Sequence, residues 1–390
     1  MADQTLISAD SHVNEPADLW LQRIDKEFRD RAPRVVDNIP GRPPGSYLVL
    51  EGIPPIHLSQ GLGAGKRPEE LAKFFQDSTY KDARRGGWDP AARLKDMDID
   101  GVEAEVIYTT LGFRQFWLND AALQRACFRA YNDWLAEYCS YAPERLAGLA
   151  LISLYDIEEG VNELRRCRKI GLKGAMIWAS PPEDRPYSDP LYDPFWAEAQ
   201  ELGVPLSLHS ITGMGPESQA MRAMGREVKP VDRYIRSVTL CDEVKRSLTV
   251  FIFSGVLERF PRLKVVSAEN EVGWLPFVIQ RWDQAFDDFQ YMYPTPLKLK
   301  PSEYFRRQIY ATFIDDPLGV KNRYQVGIEN VMWSSDYPHT ASTWPHSQEI
   351  IARDFAGVPE AEKWKIVRKN VTGLYNLELA GQSGSSTKVM

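Results

Sequence analysis

Short apolar segments and amphipathic segments follow one another along most of the chain. Apolar runs with the length and residue types of buried strands occupy 5–9, 102–108, 146–154, 174–178, 204–209, 264–269, 309–312 and 330–336. Segments with helical spacing occupy 90–99, 120–141, 158–170, 194–202, 242–254, 274–289, a stretch from about 347, and 361–375. Strands and helices that alternate at least seven times predict a parallel sheet with helices outside it.

Residues 31 to about 87 interrupt this pattern. The segment is rich in Pro, Gly and charged residues and shows no sustained period. It predicts a long inserted loop region after the first strand, lying over the strand ends. We therefore predict one domain over residues 1–380 and a flexible Gly- and Ser-rich tail over 381–390.

A closed barrel and an open doubly wound sheet both satisfy the alternation, and two features favour the barrel. The GxGxxG fingerprint of dinucleotide-binding sheets is missing after the first strand. Polar residues of the types that bind metals follow strands spread over the whole chain, and only a barrel brings the first and last strands together. The predicted fold class is therefore α/β, a (β/α)8 TIM barrel.

Composition and charge narrow the classes of function. With 43% hydrophobic and 26% charged residues, the chain has globular composition. Its net charge of −7 and scattered Lys and Arg argue against a nucleic-acid partner. No apolar run approaches the roughly 18 residues that span a bilayer, and no secretory signal pattern opens the chain, so we expect a cytoplasmic protein without a membrane partner.

Residues of metal-ligand type stand at the ends of three predicted strands. Asp10 and His12 lie two residues apart at the end of the first strand, so their side chains point the same way. His209 ends an apolar strand, and Asp336 ends a late one. Because the C-terminal ends of barrel strands open on one face, these residues predict a site for a divalent metal such as Zn, Mn or Fe.

Four motifs in this order resemble the amidohydrolase superfamily: Asp10-Ser-His-Val-Asn-Glu-Pro16, the strand-end His209, Glu269-Asn-Glu-Val-Gly-Trp-Leu-Pro276 and Ser335-Asp-Tyr-Pro-His339. More narrowly, the chain resembles the amidohydrolase-related branch that contains aminocarboxymuconate-semialdehyde decarboxylase and resorcylate-type decarboxylases. The resemblance runs from residue 5 to about 377 and implies a metal-centred (β/α)8 barrel. It also implies that Asp10, His12 and His209 bind the metal, and that Asp336 binds metal and moves protons.

Two further carboxylates could join the ligands. Glu269 stands where the decarboxylases have a histidine near the metal-bound water or substrate, which exchanges an imidazole for an anionic oxygen. Glu15, three residues after His12, is either a metal ligand or a helix-start carboxylate near Pro16. If either joins the set, the centre could hold two ions rather than one, and its composition would favour iron or manganese over zinc.

Three residues are candidates for substrate contact. His339 follows Asp336 by three residues and is either a substrate contact, a donor behind the ligands or a structural turn residue. Trp178 belongs to a group of aromatic residues near the expected mouth, of which a few would wall an apolar pocket. Arg114 has the guanidinium geometry that suits a carboxylate, with surface solvation as the alternative.

We predict a metal-dependent enzyme that hydrolyses or decarboxylates a small, carboxylate-bearing organic substrate, with Asp336 and Glu269 as catalytic residues. One alternative is an oxygenase with a dinuclear iron or iron–manganese centre, because some hydroxylases with this fold use such centres. Another is a barrel without activity that serves as a partner subunit. We expect a homodimer or other oligomer, since related barrels often dimerise and residues 282–304 include several aromatic side chains.

Overall fold

This computed structural model describes residues 5–215, 218–219 and 230–379, so the predicted tail 381–390 lies outside the described residues. Its strands are β1 (Leu6–His12), β2 (Arg34–Asp37), β3 (Ser46–Leu50), β4 (Ile53–His57), β5 (Val102–Tyr108), β6 (Leu146–Leu151), β7 (Gly174–Ile177), β8 (Leu206–His209), β9 (Val265–Ala268), β10 (Ile309–Phe313) and β11 (Val331–Trp333).

The α-helices of the described residues are α1 (Leu19–Arg23), α2 (Pro68–Asp77), α3 (Pro90–Asp100), α4 (Ala121–Cys139), α5 (Ile157–Lys169), α6 (Asp193–Leu202), α7 (Pro230–Val238), α8 (Asp242–Phe253), α9 (Val256–Arg259), α10 (Leu275–Phe289), α11 (Pro301–Gln308), α12 (Pro317–Lys321), α13 (Arg323–Val326), α14 (Ser347–Asp354), α15 (Glu360–Trp364) and α16 (Asn370–Tyr375). Among them, none combines the length and the apolar character that crossing a membrane requires.

The large sheet curves into a nearly closed barrel. Its parallel strands follow the order β1-β5-β6-β7-β8-β9-β10-β11. β1 then meets the end of the last strand, where the His12 N–H donates to the Tyr337 carbonyl (2.6 Å) and the Asp336 N–H donates to the Asp10 carbonyl (3.0 Å). The predicted (β/α)8 barrel is confirmed, and its closure brings together the strand ends that carry the first and last predicted ligands.

Local chemistry explains where several barrel elements begin and end. β8 and β9 are buried throughout, as expected of parallel strands covered on both faces. Asp89, Asp120 and Asp156 accept backbone N–H groups at the first turns of α3, α4 and α5. Gly101 and Gly203 end α3 and α6 with φ of 70° and 62°, a left-handed conformation that glycine adopts without steric penalty.

The insertion predicted over 31–87 contains regular structure that its pattern did not reveal. β2, β3 and β4 form an antiparallel sheet, and α2 follows. Strands of four or five residues, one of them with two prolines, are too short to show a period. The insertion packs on the segment that leaves β1, where the Asn14 amide donates to the Gly61 carbonyl (2.8 Å) and the Tyr80 hydroxyl to the Glu15 carbonyl (2.9 Å).

A buried arginine stabilises the seam, the junction between β1 and the residues that follow β11. Arg93 on α3 is fully buried, and its Nε and Nη1 donate to the Glu105 carboxylate and the His12 carbonyl, each at 2.6 Å. Its guanidinium also lies 4.5 Å from the centre of the Tyr337 ring. A dry interior tolerates such a cation only when charge and hydrogen bonds compensate it. Arg93 therefore joins α3 and β5 to both sides of the seam.

We expect Arg93→Met to lower the free energy of unfolding by about 3–5 kcal/mol, because the substitution leaves the Glu105 carboxylate buried without its cation. Urea unfolding followed by circular dichroism measures the change. Arg262→Met, at an exposed pair with Glu201, is the control and should have an effect several times smaller. Equally small effects of both substitutions would show that the seam does not depend on Arg93.

Candidate metal centre

Five predicted ligands converge at the C-terminal ends of the barrel strands. His12 Nε2 lies 3.3 Å from Asp10 Oδ1 and 3.1 Å from Asp336 Oδ1. His209 Nε2 lies 3.2 Å from Glu269 Oε2 and 3.6 Å from Asp10 Oδ2. Ligands that share one ion at bond lengths of about 2.1 Å lie roughly 3.0–3.5 Å from one another. These separations are therefore close to those of a metal centre.

The atoms that face this centre are available as ligands. Those that are buried and have no hydrogen-bond partner among the described residues include Asp10 Oδ1, His12 Nε2, His209 Nε2 and Glu269 Oε2. The Nδ1 atoms of His12 and His209 lie 2.7 Å and 3.0 Å from the carbonyls of Thr109 and Ser210. Since a carbonyl only accepts, we assign the hydrogen to both Nδ1 atoms, which leaves both Nε2 lone pairs for a cation. The donor set fits a divalent metal.

Burial and mutual charge shift the proton affinities of this cluster. Burial raises the pKa of Glu269 to about 7, and the Asp336 carboxylate adds to the rise. Burial would also raise the pKa of Asp336, but the His339 and His12 imidazoles hold it below its usual range. Burial would lower the pKa of His12, but Asp10 and Asp336 raise it well above its ordinary value. Without a cation the cluster retains protons at neutral pH, and a metal must displace them.

Glu269 and Asp336 adopt a backbone conformation that is rare for residues with a side chain. Their φ angles are 54° and 55°, in the left-handed region. Thr312 stabilises this conformation at Glu269, because its hydroxyl accepts the Glu269 N–H (2.9 Å) and donates to Asp10 Oδ2 (3.4 Å). Such conformations cost about 1–3 kcal/mol each and concentrate at functional sites. Their presence at two ligand positions supports a role for both carboxylates.

The structure brings His339 into the cluster. Its Nδ1 lies 2.9 Å from Asp336 Oδ1, its Nε2 lies 2.9 Å from the Thr110 hydroxyl, and its ring stacks on His12 with centroids 3.9 Å apart. Burial and the neighbouring His12 lower the pKa of His339. We therefore take His339 as a neutral imidazole that donates from Nδ1 to Asp336 and accepts from Thr110.

Arg114 lies at the edge of the cluster. It belongs to the 3-10 turn Gly112–Trp117, with its guanidinium 4.6 Å from the centre of the Trp117 ring. Burial and the nearby Arg236 hold the pKa of Arg114 well below its usual value, while the Glu269 carboxylate opposes that shift. A partly buried guanidinium close to a second cation favours the arrival of an anion.

Trp178 supports the same turn from behind. It is buried, its indole N–H donates to the Phe116 carbonyl (3.0 Å), and its ring meets Tyr155 edge to face. The structure thus gives Trp178 a packing role under the turn, and no contact of Trp178 with the five ligands is seen among the described residues.

Glu15 is not brought to the ligand cluster. Its carboxylate accepts the Thr109 hydroxyl and the backbone N–H groups of Leu111 (2.9 Å) and Gly112 (3.3 Å). The expected roles as a metal ligand or a helix-start carboxylate are both corrected, because its oxygens are already occupied by donors of the loop that follows β5. Burial raises the pKa of Glu15, and the Thr109 hydroxyl opposes the rise.

The threonines that hold the ligands were not predicted: Thr109, Thr110 and Thr312. A signal existed, since each stands at the end of a predicted strand or directly after one, as Asp10 and His209 do. A hydroxyl is not a usual metal ligand, so residue type gave no cue. Their contribution depends on contacts with residues far away in the chain.

Comparisons with known proteins agree with this geometry. The family model described as Amidohydrolase matches residues 9–377. Gamma-resorcylate decarboxylase of Rhodococcus jostii (strain RHA1) is 28% identical over 304 residues, which cover 73% of this chain and 87% of that protein. 2-Amino-3-carboxymuconate-6-semialdehyde decarboxylase of Dictyostelium discoideum is 27% identical over 271 residues, which cover 68% and 72%.

Solved structures share the fold. An amidohydrolase from Mycobacterium avium subsp. paratuberculosis K-10 has a TM-score of 0.75 at 22% identity, covering 95% of this chain and 99% of that one. 5-Carboxyvanillate decarboxylase from Novosphingobium aromaticivorans, complexed with manganese and 4-hydroxy-3-methoxy-5-nitrobenzoic acid, has a TM-score of 0.67 at 19% identity, covering 97% and 98%. The motif-based resemblance is confirmed, and the named decarboxylases fit the predicted decarboxylation and not the oxygenase alternative.

We expect the stabilisation by Mn²⁺ to grow as pH rises from about 5.5 to 8. In the metal-free protein the pKa of Glu269 is about 7 against 4.5 for an ordinary glutamate, so folding takes up a proton and the free energy of unfolding falls as pH rises through this window. The raised pKa of His12 acts in the same direction above 6.5. A bound cation replaces these protons, so the free energy of unfolding of the metal-loaded protein does not fall in this way as pH rises.

Differential scanning fluorimetry of metal-free and loaded protein over this pH range measures the difference in Tm. Burial also raises the pKa of Glu271 to about 7, but Glu271 is not among the converging ligands, so its contribution cancels in the difference. Glu269→Gln should therefore weaken the pH dependence of the difference, and Glu271→Gln should preserve it. A Tm difference that does not change with pH contradicts the assignment.

Proposed function

The chain belongs to the amidohydrolase family, and from that premise we propose that it is a metal-dependent decarboxylase of a small aromatic acid. One observation carries the proposal: ligand atoms of Asp10, His12, His209 and Glu269 converge without hydrogen-bond partners among the described residues, and Asp336 Oδ1 lies 3.1 Å from His12 Nε2. The relatives named above support the reaction class, since they are decarboxylases of resorcylate, carboxyvanillate and an aminocarboxymuconate semialdehyde.

Asp10, His12, His209 and Asp336 would hold the metal, with Glu269 as a fifth ligand. When bound, the metal supplies Lewis-acid binding of substrate oxygens. Carboxylates and imidazoles without thiolate form a donor set that suits manganese, and the manganese bound to the carboxyvanillate decarboxylase supports that choice. We propose one Mn²⁺ per chain, and elemental analysis of the purified protein separates this stoichiometry from two ions.

Decarboxylation breaks the bond between a ring carbon and the carboxylate carbon, releases CO2 and places a proton on the ring carbon. We assign the delivery of that proton to Asp336, which lies among the ligands: its carboxylate, held ionised by the neighbouring imidazoles, would take a proton from water and pass it to the ring carbon. The neutral His339 orients Asp336 through its Nδ1–H, 2.9 Å away, and is itself held by Thr110. A carboxyl group held in this way can take up and give back a proton without moving.

Arg114 would bind the substrate carboxylate. Its partly buried guanidinium borders the cluster beside Glu269 and Arg236, and a planar carboxylate suits its paired N–H groups. Phe113, on the same turn, has its ring 4.4 Å from the ring of His209 and offers an apolar wall to an aromatic ring. The substrate would thus lie between the turn Gly112–Trp117 and the ligands.

Glu269 favours metal-assisted hydrolysis as a second candidate function. In the decarboxylases that the chain resembles, a histidine stands at this position. A carboxylate beside the metal can act as the general base that takes a proton from an attacking water. Esters and amides of aromatic acids are the matching substrates.

A homodimer stays a prediction. At the end of α10 and in the residues after it, large side chains are exposed: Phe289, Tyr291, Met292 and Tyr293. Clustered exposed apolar side chains support a surface that a second copy could cover.

We expect CO2 release from one or more ortho-hydroxylated benzoic acids, lost on chelation and restored by Mn²⁺. Methyl esters and anilides of the same acids test the hydrolytic candidate in parallel. Asp336→Asn should keep the fold and lose at least about a hundredfold in kcat, because its side chain cannot deliver the proton. Asp98→Asn, at an exposed carboxylate, is the control. Turnover that continues after chelation, or near-normal turnover of Asp336→Asn, would contradict the proposal.

We expect Arg114→Met to raise KM for the aromatic acid by about 30-fold, since a hydrogen bond to a charged group is worth about 1.5–3 kcal/mol. Arg114→Lys should recover part of the loss, because it keeps the charge without the paired geometry. Arg125→Met on α4, outside the turn, serves as the matched control. Steady-state kinetics supply the result, and an unchanged KM would remove Arg114 from the substrate site.

A further inference from the structure

Glu15 receives an unusual number of hydrogen bonds from a single loop. The side chain is fully buried. Its two oxygens accept the Thr109 hydroxyl and the backbone N–H groups of Thr110 (3.2 Å), Leu111 (2.9 Å) and Gly112 (3.3 Å). Converging N–H groups favour a negative charge, and an ionised carboxylate is an acceptor at every lone pair. Glu15 therefore ties the segment that leaves β1 to the loop that follows β5.

The same loop holds two imidazoles of the metal centre. The Thr109 carbonyl accepts the Nδ1–H of His12 at 2.7 Å, which keeps the Nε2 lone pair directed at the ligand cluster. The Thr110 hydroxyl lies 2.9 Å from Nε2 of His339. Thr109 thus bonds to Glu15 through its side chain and to His12 through its backbone. A displacement of this residue would move both contacts together.

The loop continues without interruption into the turn that faces the cluster. Gly112, whose N–H is bound by Glu15, is the first residue of the 3-10 turn Gly112–Trp117. Phe113 follows it, with its ring 4.4 Å from His209 and 5.4 Å from His12. Arg114 comes next. One carboxylate therefore fixes the start of the segment that carries the proposed substrate contacts.

We propose that Glu15 is a positioning residue that sets the ligating geometry of His12 and the place of Arg114 at the same time, through the loop 109–114. The role in substrate binding rests on the proposed function, whereas the role in metal binding does not. Glu15 is itself well anchored, because its carbonyl accepts the Tyr80 hydroxyl of the insertion at 2.9 Å. The insertion, β1 and the loop after β5 thus form one support for the site.

A neutral amide cannot replace this carboxylate. Glu15→Gln offers one acceptor oxygen to four donors and directs its own NH2 at the remaining donors, which repels them. Thr109→Val removes the side-chain half of the link and keeps the backbone carbonyl that holds His12. Thr109→Ser retains the hydroxyl. Glu163→Gln, at a largely buried carboxylate between outer helices α4 and α5, is the matched control.

The first measurement is titration of the metal-free variants with Mn²⁺, which needs no substrate. We expect Glu15→Gln to weaken Mn²⁺ binding at least about tenfold, as loss of an outer-shell partner of a ligating histidine does. Thr109→Val should weaken it in the same direction, while Thr109→Ser and Glu163→Gln should stay within about twofold of the wild type. Tm of each metal-free variant shows whether Glu15→Gln and Glu163→Gln perturb folding similarly.

The second measurement compares KM with Mn²⁺ affinity once a substrate has been found. Glu15→Gln should raise KM as well as lower Mn²⁺ affinity, whereas Thr109→Ser should leave both close to their wild-type values. Unchanged Mn²⁺ affinity in both Glu15→Gln and Thr109→Val overturns the proposal, as does an equal loss in Glu163→Gln. If the wild type decarboxylates nothing, the proposed function fails while the Mn²⁺ titration still decides the role of Glu15.

Discussion

Three carboxylates in one buried space repel one another, and this constraint organises the site and the strand ends that form it. Asp10, Glu269 and Asp336 come from three separate parts of the chain, and the fold brings all three against His12. Burial removes the water that would stabilise each ionised group, so the cluster needs protons or a cation. Because both imidazoles use Nδ1 for backbone carbonyls, their Nε2 atoms remain for a proton or for a cation.

The residues around the ligands are themselves paired. Arg93 neutralises Glu105 and also donates a hydrogen bond to the His12 carbonyl. Glu15 accepts hydrogen bonds from the loop after β5. Buried charges of this kind are stable only when each finds its partner. The ligands therefore lie within a rigid network that extends from α3 to the insertion, as a site that must keep its geometry without metal requires.

Glu269 departs from the histidine of the decarboxylases that the chain resembles. Membership predicts the barrel and the metal, and the named relatives point to loss of CO2. An anionic oxygen at a position where the resembled decarboxylases have imidazole changes the charge of the centre, and without a metal burial raises the pKa of Glu269 to about 7. The fold by itself does not decide the reaction, because many chemistries share the barrel.

The barrel and most of the ligands could be predicted from the sequence by itself, because both rest on short-range patterns. Alternation of strands and helices specifies parallel layers, and a polar residue that ends an apolar strand points to the open face; Asp10, His12, His209 and Asp336 all follow that rule. The strands of the insertion escaped prediction because four or five residues show no period.

Only the tertiary structure decided the roles of Glu15, Arg93 and Thr109. Glu15 has the chemistry of a ligand and stands three residues from one, yet its carboxylate points to a loop nearly a hundred residues away in the chain. Arg93 lies on α3, is fully buried and is paired with Glu105 of β5. Sequence determines which groups a chain possesses, whereas the partner that satisfies a buried group depends on which distant segment the fold places beside it.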